Sequence, residues 1–134
     1  MDYQKQREYI GNLDQLFTVK DYTFTGGKSQ GVRATDIDNG SGLQFTVLAD
    51  RCMDIGKLSF RGVNFSFLTP TGVVAPTYYD NRGAQWLRSY AAGFVTTCGL
   101  SNIGSACEDN GEELGIHGRI ANTPADNYSV IKSE

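Results

Sequence analysis

The only histidine of this 134-residue chain lies in the stretch LGIHGRIAN, residues 114–122. Gly115 and Gly118 flank His117, and Arg119 follows two positions later. Imidazole exchanges protons near neutral pH, and glycines let a backbone or a ligand come close. On a strand, His117 and Arg119 would share one face. A proton donor beside a multi-donor cation suits a polyhydroxylated or anionic small molecule, so we predict that His117 is catalytic and that Arg119 binds substrate.

A second group of candidates lies in the long segment 69–90, which contains two prolines, three tyrosines and the only tryptophan. Aromatic rings pack against the apolar side of sugars, and arginine and asparagine bind their hydroxyls. We therefore predict that Trp86 stacks on a substrate and that Arg82, together with Asn122, holds hydroxyls or an anionic substituent. A place in the protein core is the equal alternative for Trp86.

Other combinations favour no further chemistry. Cys98, Cys107, Asp109 and His117 do not match a compact zinc pattern, so we expect no metal and no cofactor. Three cysteines in a chain with no export signal are expected to be reduced thiols. The acidic stretch CEDNGEEL is either a solvated loop or a source of a carboxylate that orients His117 or binds sugar hydroxyls.

Composition and charge indicate which classes of binding partner to expect. Apolar residues make up 40% of the chain and charged residues 20%, with a net charge of −3 and no run of lysine or arginine. We therefore expect a small-molecule ligand and neither nucleic acid nor membrane as a partner. The opening MDYQKQREYIGN is polar, and no apolar run approaches the ~20 residues that span a bilayer, so we expect a cytoplasmic protein.

The chain has the pattern of a strand-rich domain. We divide it into a polar segment, 1–12, and a β domain, 13–134. Alternating residues predict strands in QLFTVKDYTF, GVRATDI and LQFTVLAD, where Leu48 alone breaks the alternation. KLSFRGVNFSFL predicts a hairpin with its turn at Arg61–Gly62. Such hairpins favour an antiparallel sandwich or barrel.

Beyond these hairpins we predict a long loop with a helical turn around AQWLRSY, a buried strand in AGFVTTCGL and a loop in SNIGSACEDNGEEL. A strand begins at YSVI and stops abruptly, so we expect the intact product to continue beyond Glu134. Open sheet edges would then be available for pairing.

Three runs together resemble the aldose 1-epimerase (galactose mutarotase-like) superfamily, from about Leu16 onward. They are LADRCMDIGKLSFRGVNFSFLTPTG, YYDNRGAQWLRSYAAGFVTTCGLSNIG and CEDNGEELGIHGRIANTPA. Members of this superfamily are much longer, and the chain resembles the N-terminal part of their antiparallel β-sandwich.

The resemblance implies a sugar site on a concave face, with His117 in the position of the histidine of the family's HG motif. It also implies acid–base catalysis at the anomeric centre of an aldose or of an acidic or phosphorylated sugar. The family's catalytic base is a glutamate of the C-terminal half, which no residue here matches, so we expect this segment alone to be inactive. The alternatives are a non-catalytic sugar-binding module or a half-domain that pairs with another chain through open sheet edges. As protein partners we consider a second copy, in a homo-oligomer, or a C-terminal half.

Overall fold

Antiparallel strands make up most of the regular structure. The structure, a computed structural model, describes residues 3–131. Its strands are β1 (Thr18–Thr23), β2 (Arg33–Asp38), β3 (Leu43–Leu48), β4 (Asp54–Phe60), β5 (Val63–Asn64), β6 (Phe67–Leu68), β7 (Ala92–Gly93), β8 (Cys107–Asp109) and β9 (Glu112–Leu114). One α-helix, α1 (Tyr3–Gln6), precedes them, and short 3₁₀ helices lie at Leu13–Gln15, Gly27–Ser29, Pro76–Tyr78, Gln85–Ser89 and Ile120–Asn122. The predicted mainly-β class and the helical turn near AQWLRSY are confirmed.

The strands β1 to β5 form one sheet in chain order, each antiparallel to the next. The pairs β6–β7 and β8–β9 form two small sheets. The turn between β4 and β5 has positive φ at Arg61 (49°) and at Gly62 (81°), the geometry that matches the twist of a two-residue hairpin. The predicted hairpins of this sheet are therefore confirmed.

The register gives the five-stranded sheet two different faces. Ile37 pairs with Val19 on one side and with Phe45 on the other, and Phe45 pairs with Leu58. These cross-strand partners form an apolar row. The adjacent row on the opposite face is polar and consists of Lys20, Asp36, Thr46 and Lys57.

The buried core lies at one end of the sheet. Leu48 is buried there opposite Ala34, and it packs so closely on Gly56 that a Cβ at that glycine would lie 2.8 Å from a Leu48 methyl group. A β-bulge in β4, where Gly56 is the extra residue, shifts the register between β3 and β4 at Thr46 and Val47. Leu48 lies on the same face as Thr46, and it breaks the alternation because this face is buried at that end of the sheet. Loops supply the remaining apolar core residues, including Val74, Ala75, Trp86, Ala91 and Ala121.

Three sequence predictions are wrong. Only Ala92–Gly93 of AGFVTTCGL is a strand, because Gly93 has a φ of 137° and the amides of Phe94 and Val95 both donate to the carbonyl of Ile55. The predicted loop at CEDNGEEL is the β8–β9 hairpin, whose turn has positive φ at Asn110 and Gly111.

The third error concerns YSVI, since residues 128–131 contain no strand. The chain is instead held to the sheet by isolated contacts. The Arg33 guanidinium donates to the carbonyl of Ala125, whose amide donates to the carbonyl of Ala49. The Tyr128 hydroxyl donates to Asp21 at 3.1 Å, and its ring packs under Arg33.

Asp50 anchors the same region, and its charge makes folding sensitive to acid. Burial by itself raises the pKa of the Asp50 carboxyl, but hydrogen bonds from the Arg33 guanidinium and amide outweigh burial and lower it. A lowered pKa in the folded state stabilises the fold above the unfolded value, and this contribution is lost as the pH falls through the folded value.

We predict that Asp50→Asn lowers the free energy of unfolding at pH 7, because a neutral amide pairs less strongly with Arg33. The difference from wild type should shrink as the pH falls below about 4, where the wild-type carboxylate is also neutralised. Urea titrations at several pH values measure this difference in the free energy of unfolding. Asp80→Asn, in the exposed Asp80–Arg82 pair, is the matched control and should cost less. An equal cost for both variants, at every pH, would contradict this assignment.

Candidate functional site

His117 lies in a tight turn that follows β9 and not on a strand. Its φ is +61°, and that of Gly118 is +70°, so the chain reverses here and the predicted shared face of His117 and Arg119 is wrong. The His117 side chain is half-buried, whereas Arg119 is exposed. A positive φ is uncommon for a residue other than glycine, so the surrounding contacts must hold His117 in this conformation.

Those contacts come from the loop at residues 99–104. The His117 amide donates to the carbonyl of Gly104 at 3.0 Å, and the amide of Gly99 donates to the carbonyl of His117 at 2.9 Å. The amide of Gly104 also donates to the imidazole Nδ1 at 3.1 Å. A nitrogen that accepts a hydrogen bond cannot carry a proton, so neutral His117 has its proton on Nε2. The group that orients the imidazole through Nδ1 is therefore a backbone amide and not a carboxylate of the acidic stretch.

The two glycines beside His117 are required by close packing. A Cβ at Gly115 would lie 2.1 Å from the backbone oxygen of Asn81, and one at Gly118 would lie 2.7 Å from that of Gly99. The loop at residues 79–83 therefore touches one side of the turn, and the loop at 99–104 touches the other. Glycine serves here for close backbone approach, as the sequence predicts, although the approaching group is protein.

Trp86 packs against the imidazole of His117. Its ring meets the His117 ring edge to face, with 5.0 Å between centroids, and stacks on Tyr90 at 4.7 Å. Trp86 is only 5% exposed. Trp86 therefore lies in the protein core, one of the two alternatives predicted for it. Because its ring also contacts His117, Trp86 forms part of the buried side of the candidate site.

Arg51 connects the elements around this turn. Its side chain is 4% exposed, and its guanidinium donates to the carbonyls of Val74 (3.0 Å) and Ser89 (2.9 Å) and to Oδ1 of Asn122 (2.7 Å). Asn122 is therefore buried and bound to protein through its oxygen. Its Nδ2, like Nε1 of Trp86, is buried and has no hydrogen-bond partner in the described part of the chain.

Asp54 is a second buried charge close to Arg51. Burial raises the pKa of the Asp54 carboxyl, opposed by hydrogen bonds to Oδ1 from the amide and hydroxyl of Thr97. Burial also lowers the pKa of the Arg51 guanidinium, and the Asp54 charge acts in the opposite direction. Arginine nevertheless stays protonated in proteins, so Arg51 is a permanent buried cation.

The predicted substrate-binding arginines are exposed. The Arg82 guanidinium is paired with Asp80. Arg82 also lines a groove of about 350 Å³ with Glu108 and Glu113 of the β8–β9 hairpin. Arg119 lies close enough to Tyr79 to influence its phenol electrostatically. The structure thus brings His117 into contact with Trp86 and links Asn122 to Arg51, but it gives neither Arg82 nor Arg119 a bond to His117.

A larger groove, of about 450 Å³, lies over the polar face of the five-stranded sheet and contains none of the predicted site residues.

Within residues 3–131, no group of three or more histidine, cysteine, aspartate or glutamate side chains is close enough together to hold a metal ion. The same residues include no helix that is long and apolar enough to cross a membrane.

Sequence reasoning missed three residues that position the site: Arg51, Asp54 and Gly104. The first two stand in LADRCMDIG, where three charged residues, Asp50, Arg51 and Asp54, follow within six residues of the hydrophobic strand β3. That placement could have indicated buried charges. Gly104 acts through its backbone amide, for which side-chain chemistry offers no signal.

Two comparisons relate the chain to known proteins. A family model described as a domain of unknown function (DUF4432) matches residues 29–134, and the chain belongs to this family. It is also similar to the crystal structure of a provisionally assigned aldose 1-epimerase from Klebsiella pneumoniae, with 26% identity and a TM-score of 0.74. That match covers 89% of this chain but 35% of the Klebsiella chain, so the 134 residues span about a third of its length. The predicted epimerase resemblance and antiparallel fold are confirmed, while no curated protein matches the sequence.

We predict that Gly115→Ala destabilises the fold by about 1–3 kcal/mol, because the new methyl group must displace the backbone of Asn81. Urea unfolding measures the cost. Gly11→Ala is the control, since a Cβ there meets nothing within 4 Å and Gly11 needs no positive φ. If both variants unfold at the same urea concentration, the close approach of the 79–83 loop does not exist in solution.

Proposed function

We propose that this chain carries the histidine side of a carbohydrate site in an aldose 1-epimerase-like protein. His117 is the proton donor, or the hydrogen-bond donor, to a ring or anomeric oxygen of an aldose or of an acidic or phosphorylated sugar. The reaction of the whole protein is epimerisation at the anomeric centre by acid–base catalysis. No cofactor takes part, since proton transfer needs none, and the setting is cytoplasmic.

The observation that carries this proposal is the hydrogen bond from the Gly104 amide to Nδ1 of His117. It leaves the proton on Nε2, and among the described residues nothing accepts a hydrogen bond from that atom. An N–H with a fixed orientation and no partner among the described residues suits donation to a ligand oxygen. The Trp86 ring fixes the imidazole from the side.

Neighbouring groups support a polyhydroxylated ligand. Arg119 is exposed beside the turn, and Arg82 faces a groove with two glutamates, so both cations can reach hydroxyl or anionic groups. Asn122 takes part through Nδ2, the donor that Arg51 leaves unpaired. Trp86 contributes by holding His117 and not as a stacking platform.

Catalysis also needs a base that takes the proton of the anomeric hydroxyl. None of the 134 residues matches the glutamate that the family resemblance implies. We therefore expect the isolated chain to bind a sugar without speeding anomer exchange. In a longer polypeptide that supplies the base, His117→Gln should slow anomer exchange about 10²- to 10⁴-fold, the usual contribution of a general acid.

Sugar binding can be followed by the fluorescence of Trp86, the one tryptophan of the sequence, because its ring lies against His117. We predict that glucose, galactose or glucose 6-phosphate changes the Trp86 fluorescence of the isolated chain and shifts the His117 Nε2 signal in ¹H–¹⁵N NMR. His117→Gln should weaken this binding at least about 10-fold, the value of one good hydrogen bond to a ligand.

The matched control is Tyr128→Phe, which removes a hydroxyl bonded to Asp21 and should leave sugar binding unchanged. Equal affinities of wild type and His117→Gln for all three sugars would exclude His117 from the site. If wild type binds none of them, the proposed site fails for the chain as it stands. NMR signals of a neutral Nδ1–H tautomer would contradict the orientation of the donor.

A non-catalytic sugar-binding module is the second candidate. It is favoured by the sequence of the 134 residues, none of which matches the glutamate base, whereas the Nε2–H of His117 can bind a ligand oxygen without a base. The two candidates differ in a longer polypeptide: an enzyme accelerates anomer exchange and loses this on His117→Gln, whereas a module only binds.

A further inference from the structure

The loop at residues 99–104, which orients His117, has little apolar packing of its own. Its large apolar residues, Leu100 and Ile103, are 88% and 73% exposed. Leu100 also has a φ of +70°, a conformation that a residue other than glycine keeps only where other contacts hold it. Hydrogen bonds are therefore the interactions that hold this loop against the turn at residues 115–118.

Within the described part of the chain, four hydrogen bonds join the loop to the turn. Three of them involve His117 itself: two connect backbone groups, and the third runs from the Gly104 amide to Nδ1. The fourth runs from Nδ2 of Asn102 to the carbonyl of Gly115 at 2.7 Å. Of the four, this bond alone is independent of His117 and alone is made by a side chain of the loop.

The half-buried side chain of Asn102 has a partner at each end of its amide. Oδ1 accepts a hydrogen bond from the Ser101 hydroxyl at 3.0 Å, and Nδ2 donates to Gly115, so both the oxygen and the nitrogen are used. The backbone of Asn102 also approaches the turn, since a Cβ at Gly118 would lie 3.3 Å from the Asn102 carbonyl oxygen. Asn102 therefore meets the turn on either side of His117.

We propose that Asn102 is a positioning residue for His117. By holding the loop to Gly115, its side-chain amide keeps the Gly104 amide directed at Nδ1, and so keeps the neutral imidazole in its Nε2–H form. When this anchor is lost, the Gly104 amide can withdraw and Nδ1 becomes free to take the proton. The inference deepens the proposed function, on which it rests for its purpose, because Nε2–H is the donor offered to the sugar.

The other contacts of His117 do not choose between the two tautomers. The Trp86 ring restrains the imidazole by packing, but its Nε1–H makes no hydrogen bond to the described residues. The two backbone bonds of His117 fix its main chain and leave the ring nitrogens untouched. The choice of tautomer therefore depends on the Gly104 amide, and the position of that amide depends on the anchor at Asn102.

Imidazole ¹⁵N NMR of the 134-residue chain, at about pH 9 where imidazoles are neutral, tests the proposal. Wild type should show one protonated nitrogen, Nε2, and one bare nitrogen, Nδ1, with widely separated shifts. Asn102→Ala should move the two shifts toward each other as the Nδ1–H form appears. It should also speed exchange of the Gly104 amide proton with water at least about 5-fold, the equivalent of one lost hydrogen bond. Ser105→Ala is the matched control in the same segment, because this exposed hydroxyl has no partner among the described residues, and it should leave both readouts unchanged.

A second measurement covers the case that Asn102→Ala does not fold. In wild type, one Nδ2 proton of Asn102 should exchange with water more slowly than those of the exposed Asn110 side chain, because it is bonded to Gly115. Equal exchange at the two side chains would overturn the proposal, and so would imidazole shifts that Asn102→Ala leaves as unchanged as Ser105→Ala does.

None of these readouts needs a sugar, so the two proposals fail separately. A chain that binds no sugar but loses its Nε2–H preference in Asn102→Ala contradicts the proposed function and supports the positioning role. A chain that binds sugar through His117 while Asn102→Ala keeps the wild-type tautomer supports the function and overturns the positioning role.

Discussion

A buried guanidinium determines the arrangement of the loops in this protein. Arg51 is a permanent cation out of contact with water, and such a group is tolerated only where its N–H donors are satisfied. Its acceptors lie 23, 38 and 71 positions away along the chain, one in a loop (Val74) and two in short 3₁₀ helices (Ser89 and Asn122). The cost of leaving the charge unpaired, several kcal/mol, therefore favours the one loop arrangement in which all three acceptors meet.

The geometry at His117 follows from that constraint. Ser89, whose carbonyl binds Arg51, ends the 3₁₀ helix that carries Trp86, and the Trp86 ring supports the imidazole. On the opposite side the Gly104 amide fixes the imidazole through Nδ1. The functional side chain is thus oriented by an aromatic ring and a backbone amide, while its Nε2–H is left for a ligand. The proton-donor role proposed for His117 depends on this orientation.

The sequence predicts the five-stranded sheet well, because its hairpins have regular alternation and local turns. The Arg61–Gly62 turn needs only two residues to specify it. The site is harder to predict from the sequence. His117 and Arg119 have the spacing of a strand, but they lie in a turn that is held by the loops at residues 79–83 and 99–104. The Asn110–Gly111 pair is a strong hairpin signal that the acidic character of its neighbours obscured. Leu48 breaks the alternation because its face of the sheet is buried at that end, and Arg51 acts through partners that no local pattern identifies.

The central claim is that Arg51 binds acceptors from three separate segments of the chain at once, and NMR of its guanidinium tests this directly. Hydrogen bonds on both Nη atoms slow rotation of the group and protect its protons from solvent. The account predicts separate, slowly exchanging Nη1 and Nη2 proton signals for Arg51 at neutral pH. A single averaged signal that exchanges with water as fast as that of exposed Arg119 would contradict it.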